Sequence, residues 1–484
     1  MKFSVVVFSL TIFTFSVSAE IIYVDANGTG DYPTIQSAID ASQIGDQIIL
    51  LPGIYTGTGN RDIDFLGKAI IVQSINPADP NIVAATIIDC NGTETEKHRG
   101  FNFHSNETEN SILDGVTIIN GTTEDSPFNG GGAIVCRYSS IPTIKNCILT
   151  NNTTGEWQGG GGIYCHAANP HIFRCTITNN TCGHSEGGGI YCLASNPIIE
   201  SCVISKNSRG GIHCGGSSGS SPTIQNCLIV RNSGVGIQCD NVSNPKIINS
   251  TIYGNWGYSS GAIYSYAGCY IQIENSIIYG NYAYNWTTGK YDKLKQIQIS
   301  DDQIKIDNSN IQGGKGGISN YMNEGEIIWG DGNIDTDPCF VDPCNGDYHL
   351  KSEGWRWDTD TNQWTWDNVT SRCIDAGNPG YSLGDEPTTL SVDPLHRFGV
   401  NKRIDMGAYG GTAEASMPPY GWALLSDIDN SGKVDFADFF YLVNYYLQEG
   451  ENLNSDLNRD GAVNLEDLSL IALDWLKFTD WAED

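Results

Sequence analysis

A short motif that repeats six times between residues 130 and 286 constrains the fold of this chain more than any other feature. Each copy begins with Gly and continues with an Ile that is expected to be buried. A second short apolar run follows and ends in Asn. The final Asn residues are Asn152, Asn180, Asn207, Asn232, Asn255 and Asn281, at steps of 28, 27, 25, 23 and 26 residues. A repeat this short, with period-two apolar alternation, cannot bury a core alone, so neighbouring copies must stack.

The composition of each repeat predicts strands arranged in coils. The runs are about four to six residues long, too short for helices, and Gly, Asn and Pro separate them. Strands of successive coils would pair in parallel, and parallel crossovers are right-handed. We therefore expect a mainly β fold, a right-handed parallel β-helix, with regular coils over residues 130–312. The run from Ile306 to Ile311 repeats that from Ile273 to Ile278 and predicts a seventh coil.

Two columns of small side chains are predicted to point into this cylinder. Nine of the fifteen Cys residues occupy them, and Ser250, Ser265 and Ser276 replace Cys in later copies. This exchange favours buried, reduced thiols over bridges, because a free buried thiol behaves as a small apolar group. Disulfides between neighbouring coils are also compatible with the strand spacing. Outside the columns, Cys339, Cys344 and Cys373 are better candidates for disulfides.

The Asn column is interpreted as structural. Asn tolerates the left-handed backbone conformation that a sharp corner requires, and stacked amides can hydrogen-bond along the cylinder. We expect both roles here.

The N-terminus predicts export. Residues 1–19 carry Lys2, an apolar run and a Val-Ser-Ala ending, typical of a secretory signal peptide. A strand at 21–24 and an amphipathic helix at about residues 33–42 follow. Asp31 is the expected helix cap, and the helix is expected to cover the first coil. No later run is long and apolar enough to predict a membrane span.

The charge balance disfavours two classes of partner. The formal net charge is −30, and no basic patch appears, which disfavours nucleic acid and anionic membranes. Residues 421–484 hold 14 acidic and 3 basic side chains. Residues 415–420, with two Pro, are interpreted as a short linker to this segment.

Two acidic loops predict calcium sites in the C-terminal segment. They start at Asp427 and Asp456, and each has Gly at position six and oxygen ligands at the spacing of an EF-hand loop. An apolar helix follows each, at 436–447 and 465–476. Hard oxygen ligands in this pattern suit Ca²⁺, so two ions are predicted. The ligands, with a backbone carbonyl at position seven, are Asp427, Asp429, Ser431, Lys433, Asp435, Asp438, Asp456, Asn458, Asp460, Ala462, Asn464 and Asp467.

The acidic segment resembles a type I dockerin, because position twelve is Asp and one helix follows each loop. The resemblance implies a small calcium-folded module that binds a cohesin-like partner through positions ten and eleven. Those positions hold Phe436, Ala437, Leu465 and Glu466 instead of the usual small hydroxylated pairs, so the partner does not carry over. Docking onto the β-helix of the same chain is the alternative role.

Residues 20–412 resemble bacterial secreted right-handed β-helix proteins of the pectate-lyase-like superfamily. The resemblance is carried by the opening motifs at 23–25, 33–39 and 51–55, by the coils, and by closing motifs at 337–343, 346–350, 373–377 and 405–411. It implies the fold and an association with extracellular polysaccharide. That superfamily holds lyases, hydrolases, esterases and proteins without known chemistry, so it leaves activity open.

The residues give only weak candidates for chemistry. Glu186, Arg209, His213 and Arg231 could converge on one face and do acid–base work, although charges at coil corners are usually just solvated. Tyr164, Tyr191, His213 and Tyr264 form one outward column that could pack against sugar rings, or could simply reflect the preference of aromatic residues for strands.

A Trp-rich hairpin is predicted at residues 354–368, within a C-terminal covering segment at 330–412. Its four Trp side chains either bind glycan or cover the last coil, and the need of solenoid ends for cover favours the latter.

Three functions remain open from the sequence: a polysaccharide lyase or hydrolase, a non-catalytic glycan-binding protein, and a structural or adhesive surface protein. Close convergence of Glu186, Arg209 and His213 would favour the first. Coplanar Tyr rings would favour the second, and a flat featureless face the third.

Overall fold

The computed structural model describes residues 19–123, 130–156, 159–183, 187–285, 288–293, 295–393 and 399–482. Residues 1–18 of the predicted signal peptide and the candidate Glu186 lie outside these ranges.

Three parallel sheets form a right-handed β-helix of about 11 turns, which confirms the predicted fold class. Sheet A holds the strands Ile21–Val24, Gln47–Leu50, Ile71–Ser74, Ile112–Asp114, Thr143–Lys145, His171–Phe173, Ile198–Glu200, Thr223–Gln225, Lys246–Ile248, Tyr270–Glu274, Gln303–Asp307 and Glu326–Trp329. Sheet B holds Gly53–Thr56, Thr86–Asp89, Thr117–Ile119, Ile148–Thr150, Thr176–Thr178, Val203–Ser205, Leu228–Val230, Thr251–Tyr253, Ile277–Tyr279 and Asn310–Ile311. Sheet C holds Ile63–Asp64, Phe101–Phe103, Ile134–Arg137, Ile163–His166, Ile190–Leu193, Ile212–Gly215, Ile237–Cys239, Ile263–Ser265, Ile297–Ile299 and Ile318–Asn320.

The register of the sheets follows the repeat columns. In sheet C, Cys165 pairs with Cys192 and Cys192 with Cys214, while the intervening residues pair in their own column. The predicted seventh coil is confirmed, since Ile306 pairs with Ile273. Ile residues from all three sheets fill one continuous core, as stacked amphipathic strands require.

The fifteen Cys residues form no disulfide bond with one another. The interpretation of the two columns as reduced thiols is therefore confirmed. The column of Cys147, Cys175, Cys202 and Cys227 donates thiol hydrogen bonds to carbonyls, as in Cys202 to Ile172 at 3.5 Å. The prediction that Cys339, Cys344 and Cys373 form disulfides is wrong, because all three are free thiols. Cys373 is buried and accepts a hydrogen bond from Asn310, whereas Cys344 is exposed.

The Asn column forms a hydrogen-bonded ladder, but its predicted backbone conformation is wrong. The left-handed residue at each corner is the one before the ladder Asn, such as Lys206 with φ 54° before Asn207. Asn207 itself is fully buried, and its side chain bonds the Asn residues of the coils on both sides. The amide ladder, not the corner conformation, explains the column.

Helix α1 (Ile35–Ala41) follows the first strand and buries Ile35, Ala38 and Ile39. Its N-cap is Thr34 instead of the predicted Asp31, because Asp31 accepts a hydrogen bond from the backbone of Tyr23. A second helix, α2 (Pro80–Ala85), was not predicted.

The C-terminal covering segment folds back along the outer face of sheet B. Phe340, Tyr348 and Ile374 pack with Leu228 and Ile277 of that sheet. The predicted Trp hairpin forms from Arg356–Asp358 and Gln363–Thr365, next to a second hairpin of Phe340–Asp342 and Asp347–Leu350. Its buried Trp355 packs with Leu390 and Met417 and not with the core of the last coil, so the hairpin covers the segment itself. Residues 415–418 of the expected linker are buried.

The acidic segment forms a small helical module. Helices α3 (Phe436–Tyr445) and α4 (Leu465–Asp474) follow the two loops, each two residues shorter than predicted. Leu442, Ile471 and Val463 form its separate core. Among the described residues, no helix is long and apolar enough to cross a membrane.

Candidate functional site

The first acidic loop is closed by its own carboxylates. Asp427 accepts a hydrogen bond from the backbone of Gly432 at 2.9 Å, and Gly432 has φ 90°, a conformation that favours glycine. Asp438 accepts from the backbone of Ile428 at 2.7 Å and of Asp435 at 2.8 Å. Asp435 is also the N-cap of α3, so the loop and the helix start share one residue.

The second loop repeats this arrangement. Asp456 accepts from Gly461 at 2.9 Å, and Asp467 accepts from Leu457 and Asn464, both at 2.8 Å. Asn464 is the N-cap of α4. The two loops therefore have matching geometry at corresponding positions.

Three carboxylates of the first loop are placed to hold a cation. One oxygen atom from each of Asp427, Asp429 and Asp438 lies within 4.8 Å of the others. Burial, reinforced by neighbouring carboxylates, raises the pKa of Asp427 to about 7 and that of Asp438 to about 6. A divalent cation would relieve this repulsion, and oxygen ligands in this pattern fit Ca²⁺.

The remaining predicted ligands lie in the same two loops. Ser431 Oγ donates to the carbonyl of Lys433 at 3.1 Å, which places positions five and seven side by side. In the second loop, Asn458 donates to Asp460 at 2.9 Å, and the side chain of Asn464 donates to the carbonyl of Ala462 at 3.4 Å.

The outward column of sheet C is largely covered. Tyr164 is 1% exposed, because the backbone of the Gly-rich corner lies against its ring: a Cβ on Gly130 would stand 2.8 Å from it. Its ring is tilted 57° to that of Tyr191, so these two rings are not coplanar. Tyr191 instead stacks on His213, with centroids 4.5 Å apart and planes 12° apart. In this conformation Tyr164 offers no ring face to a ligand.

His213 has a partner that the sequence did not reveal. Its Nε2 lies 2.7 Å from Asp240 Oδ2, and both residues are 6% exposed. Tyr266 donates to the same carboxylate at 3.1 Å. Burial alone would raise the pKa of Asp240, but the hydrogen bond and charge of His213, with the hydrogen bond of Tyr266, hold it below its ordinary value. The Nδ1 atom of His213 is buried and has no hydrogen-bond partner among the described residues.

A cavity of about 460 Å³ opens beside the first residues of the sheet C strands Ile237–Cys239 and Ile263–Ser265. Arg209 and Tyr264 line it, as do three aromatic residues that were not predicted: Trp256, Tyr258 and Tyr291. These three are 44%, 66% and 50% exposed. The side chain of Arg209 is exposed and has no hydrogen-bond or ion-pair partner within the described ranges.

An insertion in the last regular coils builds the wall of this cavity. The strands Trp256–Gly257, Tyr282–Asn285 and Lys290–Asp292 form a small separate sheet, and Trp256 and Tyr291 meet edge to face at 5.9 Å. The breakdown of the repeat after Asn281 was the one sequence signal for this wall.

The predicted catalytic group does not assemble as expected. Arg231 donates to the carbonyl of Pro343 in the covering segment on sheet B, and it is therefore held away from the sheet C cavity. Arg209 lines the cavity, whereas the residues that line it do not include His213. The fourth candidate, Glu186, lies outside the described residues.

Family comparisons agree with both parts of this geometry. Residues 79–241 match the right handed beta helix region family. Residues 425–472 match the dockerin type I domain family, whose members bind calcium. The chain is a right-handed β-helix protein with a type I dockerin-like module. No curated protein sequence matches it.

Solved structures with a similar fold include several β-helix proteins. A pectate lyase, Pel9A, is 17% identical with a TM-score of 0.47, covering 81% of this chain and 97% of its own. A rhamnogalacturonan lyase is 14% identical with a TM-score of 0.37, covering 67% and 91%. The A-module of the Azotobacter vinelandii mannuronan C-5 epimerase AlgE4 is 12% identical with a TM-score of 0.28, covering 65% and 100%. These similarities are too distant to assign a site or an activity.

Proposed function

We propose that this dockerin-bearing β-helix protein is secreted, binds extracellular polysaccharide in the sheet C cavity, and is attached to a cohesin-like partner through its calcium-loaded module. The observation that carries the first part is an exposed Arg209, which has no hydrogen-bond or ion-pair partner among the described residues, together with three exposed aromatic rings around one cavity.

This combination suits sugars that carry a negative charge. Aromatic faces pack against the apolar faces of sugar rings, and a guanidinium forms paired hydrogen bonds with a carboxylate or sulfate. Because the chain is strongly acidic overall, a cationic side chain at an aromatic cavity stands out from its surroundings. We therefore favour acidic glycans over neutral ones.

The dockerin-like module supports the second part. Its two loops have matching geometry, and we propose that each holds one Ca²⁺. Exposed apolar side chains stand at corresponding positions of the two helical units: Phe436 and Leu465 begin α3 and α4, and Leu447 and Leu476 follow the helix ends. Such a surface suits a protein partner.

Glycan binding is tested by calorimetry with a panel of acidic and neutral polysaccharides. We expect binding of acidic chains, and a loss of about tenfold or more in affinity for Arg209→Gln, because a charge-assisted hydrogen bond is lost. Trp256→Ala should weaken binding similarly. Arg174→Gln on a distant corner and Trp366→Ala on the hairpin are the matched controls. Undiminished binding by both cavity variants would contradict the proposal, and loss only in Trp366→Ala would assign binding to the hairpin.

Cleavage is the second candidate function, favoured by the buried pair of His213 and Asp240. A carboxylate that orients an imidazole is a common arrangement for a general base. The assay is incubation of the same polysaccharides with calcium, followed by unsaturated-product absorbance and reducing ends. Product formation that disappears in His213→Ala would establish an enzyme. Absence of product across the panel, together with binding, would leave a glycan-binding protein.

A further inference from the structure

Position four of each calcium loop, which holds no predicted ligand, contacts the β-helix part of the same chain. These residues are Asn430 and Arg459, 29 residues apart, which is the repeat distance of the two loops. Both have a left-handed backbone, with φ 56° and 59°, so that both side chains project from the tip of their loop.

Asn430 is 9% exposed and binds two backbone carbonyls outside the module. Its Nδ2 atom donates to the carbonyl of Gly332 and to that of Ala376, both at 2.8 Å. Arg459 makes the equivalent contact from the second loop. It donates to the carbonyls of Pro379, at 2.9 Å, and Lys402. The two loop tips thus bind the same covering segment through the same type of contact.

The covering segment contacts the module in return. Arg403, 1% exposed, donates to the carbonyl of Asp427, the first residue of the first loop, while two further donors of its guanidinium bind Gly377. Asn378 donates to the carbonyl of Asn452 at 3.1 Å. A buried guanidinium with satisfied donors is a strong and specific contact, so the docking is not an incidental surface touch.

We propose that the calcium-loop face is a docking surface whose partner is the β-helix of the same chain, and that calcium loading closes this contact. The inference rests on calcium binding by the module and goes beyond the attachment role. Asn430 lies between Asp429 and Ser431, two predicted ligands, so its place depends on how tightly the ligands converge. Without a cation, the clustered carboxylates repel one another and the loop tip loses its docking position.

Docking leaves the opposite side of the module free. Phe440 on α3 and Leu473 on α4 are 62% and 69% exposed, whereas Asn430 and the loop edge are covered. The calcium loops of the module therefore face the β-helix, and its helices face solvent. Partner binding and intramolecular docking are compatible in one molecule.

The test is hydrogen exchange by mass spectrometry on the mature full-length chain, with calcium and with EGTA, read at residues 372–380 and 400–405. These peptides contain no predicted calcium ligand, so they report undocking and not ligand loss. The variant is Asn430→Gly with Arg459→Gly, since glycine keeps the left-handed backbone and removes both side chains. Phe440→Ser on the outward face is the matched control. Calorimetry measures calcium binding on the same samples.

We expect EGTA to accelerate exchange in these peptides by about tenfold or more, with no change in the coils at 134–192. The double variant should exchange equally fast in calcium, while its calcium affinity stays within about threefold of the parent and the control stays protected. If calorimetry shows that the parent binds calcium but its peptides stay protected in EGTA, the coupling is overturned and the calcium assignment stands. Protection that persists in the double variant overturns the coupling in the same way. Absence of calcium binding in the parent overturns the calcium assignment and the coupling together.

Discussion

Removal of one amide from the Asn ladder tests what holds the coils together. In Asn207→Ala the side chain loses four hydrogen bonds: two accepted from Asn180, at 2.9 and 3.2 Å, and two donated, to Ile177 at 2.9 Å and Asn232 at 3.0 Å. Asn207 is 0% exposed, so no bulk water replaces them. At about 1 kcal/mol for each bond, we expect the free energy of unfolding to fall by about 4 kcal/mol.

The assay is chemical denaturation followed by far-ultraviolet circular dichroism, with calcium held constant so that the module contributes equally. Lys206→Gly is the matched control, because it alters the adjacent exposed residue of the same corner. Since Lys206 has φ 54°, glycine relieves strain there, and stability should stay the same or rise by about 1 kcal/mol. A loss below about 1 kcal/mol in Asn207→Ala would refute the ladder as a main source of stability.

Asp438→Asn should reduce calcium binding from two ions to one, and Asp467→Asn should do the same through the other loop, as measured by calorimetry. Burial raises the pKa of Glu386 to about 8 from an ordinary 4.5, so the folded state binds the extra proton and stability should fall as pH rises between these values. Glu386→Gln should flatten this fall, by up to about 1.4 kcal/mol per pH unit in denaturation series. Finally, a thiol reagent should modify Cys344 quickly in the native protein, and the buried Cys residues only after unfolding; fast reaction of several thiols would contradict the closed core.

The fold could be predicted from the sequence because the residues that determine it are close together in the chain and recur in each coil. The same apolar residue recurs once in each coil, and only stacking buries all copies, so the register of Ile306 on Ile273 could be predicted without a structure. The calcium loops were accessible for the same reason, because all ligands of one loop lie within twelve residues.

The candidate site was harder to predict from the sequence because its residues come from different coils. Asp240 follows His213 by 27 residues, and nothing in the sequence marks it as the partner of that imidazole. Tyr291 lies in the departure from the repeat after Asn281, where the column alignment gives no position to compare, and Trp256 replaces the Ser that follows the ladder Asn in the two preceding coils. The repeat pattern predicts which residues lie side by side in neighbouring coils, but it does not determine which outward side chains hydrogen-bond to one another.

The sequence by itself determined the stacking of coils and the chemistry of the acidic loops, since periodic burial and ligand spacing are properties of short segments. Only the tertiary structure decided which outward residues are accessible. Tyr164 and Tyr191 occupy the same column, yet a glycine-rich corner covers the first and not the second. It also decided that Phe340, Tyr348 and Ile374 pack on sheet B, and that Asn430 and Arg459 bind the carbonyls of Ala376 and Pro379. These contacts join segments far apart in the chain, and their energies depend on shape complementarity that local patterns do not encode.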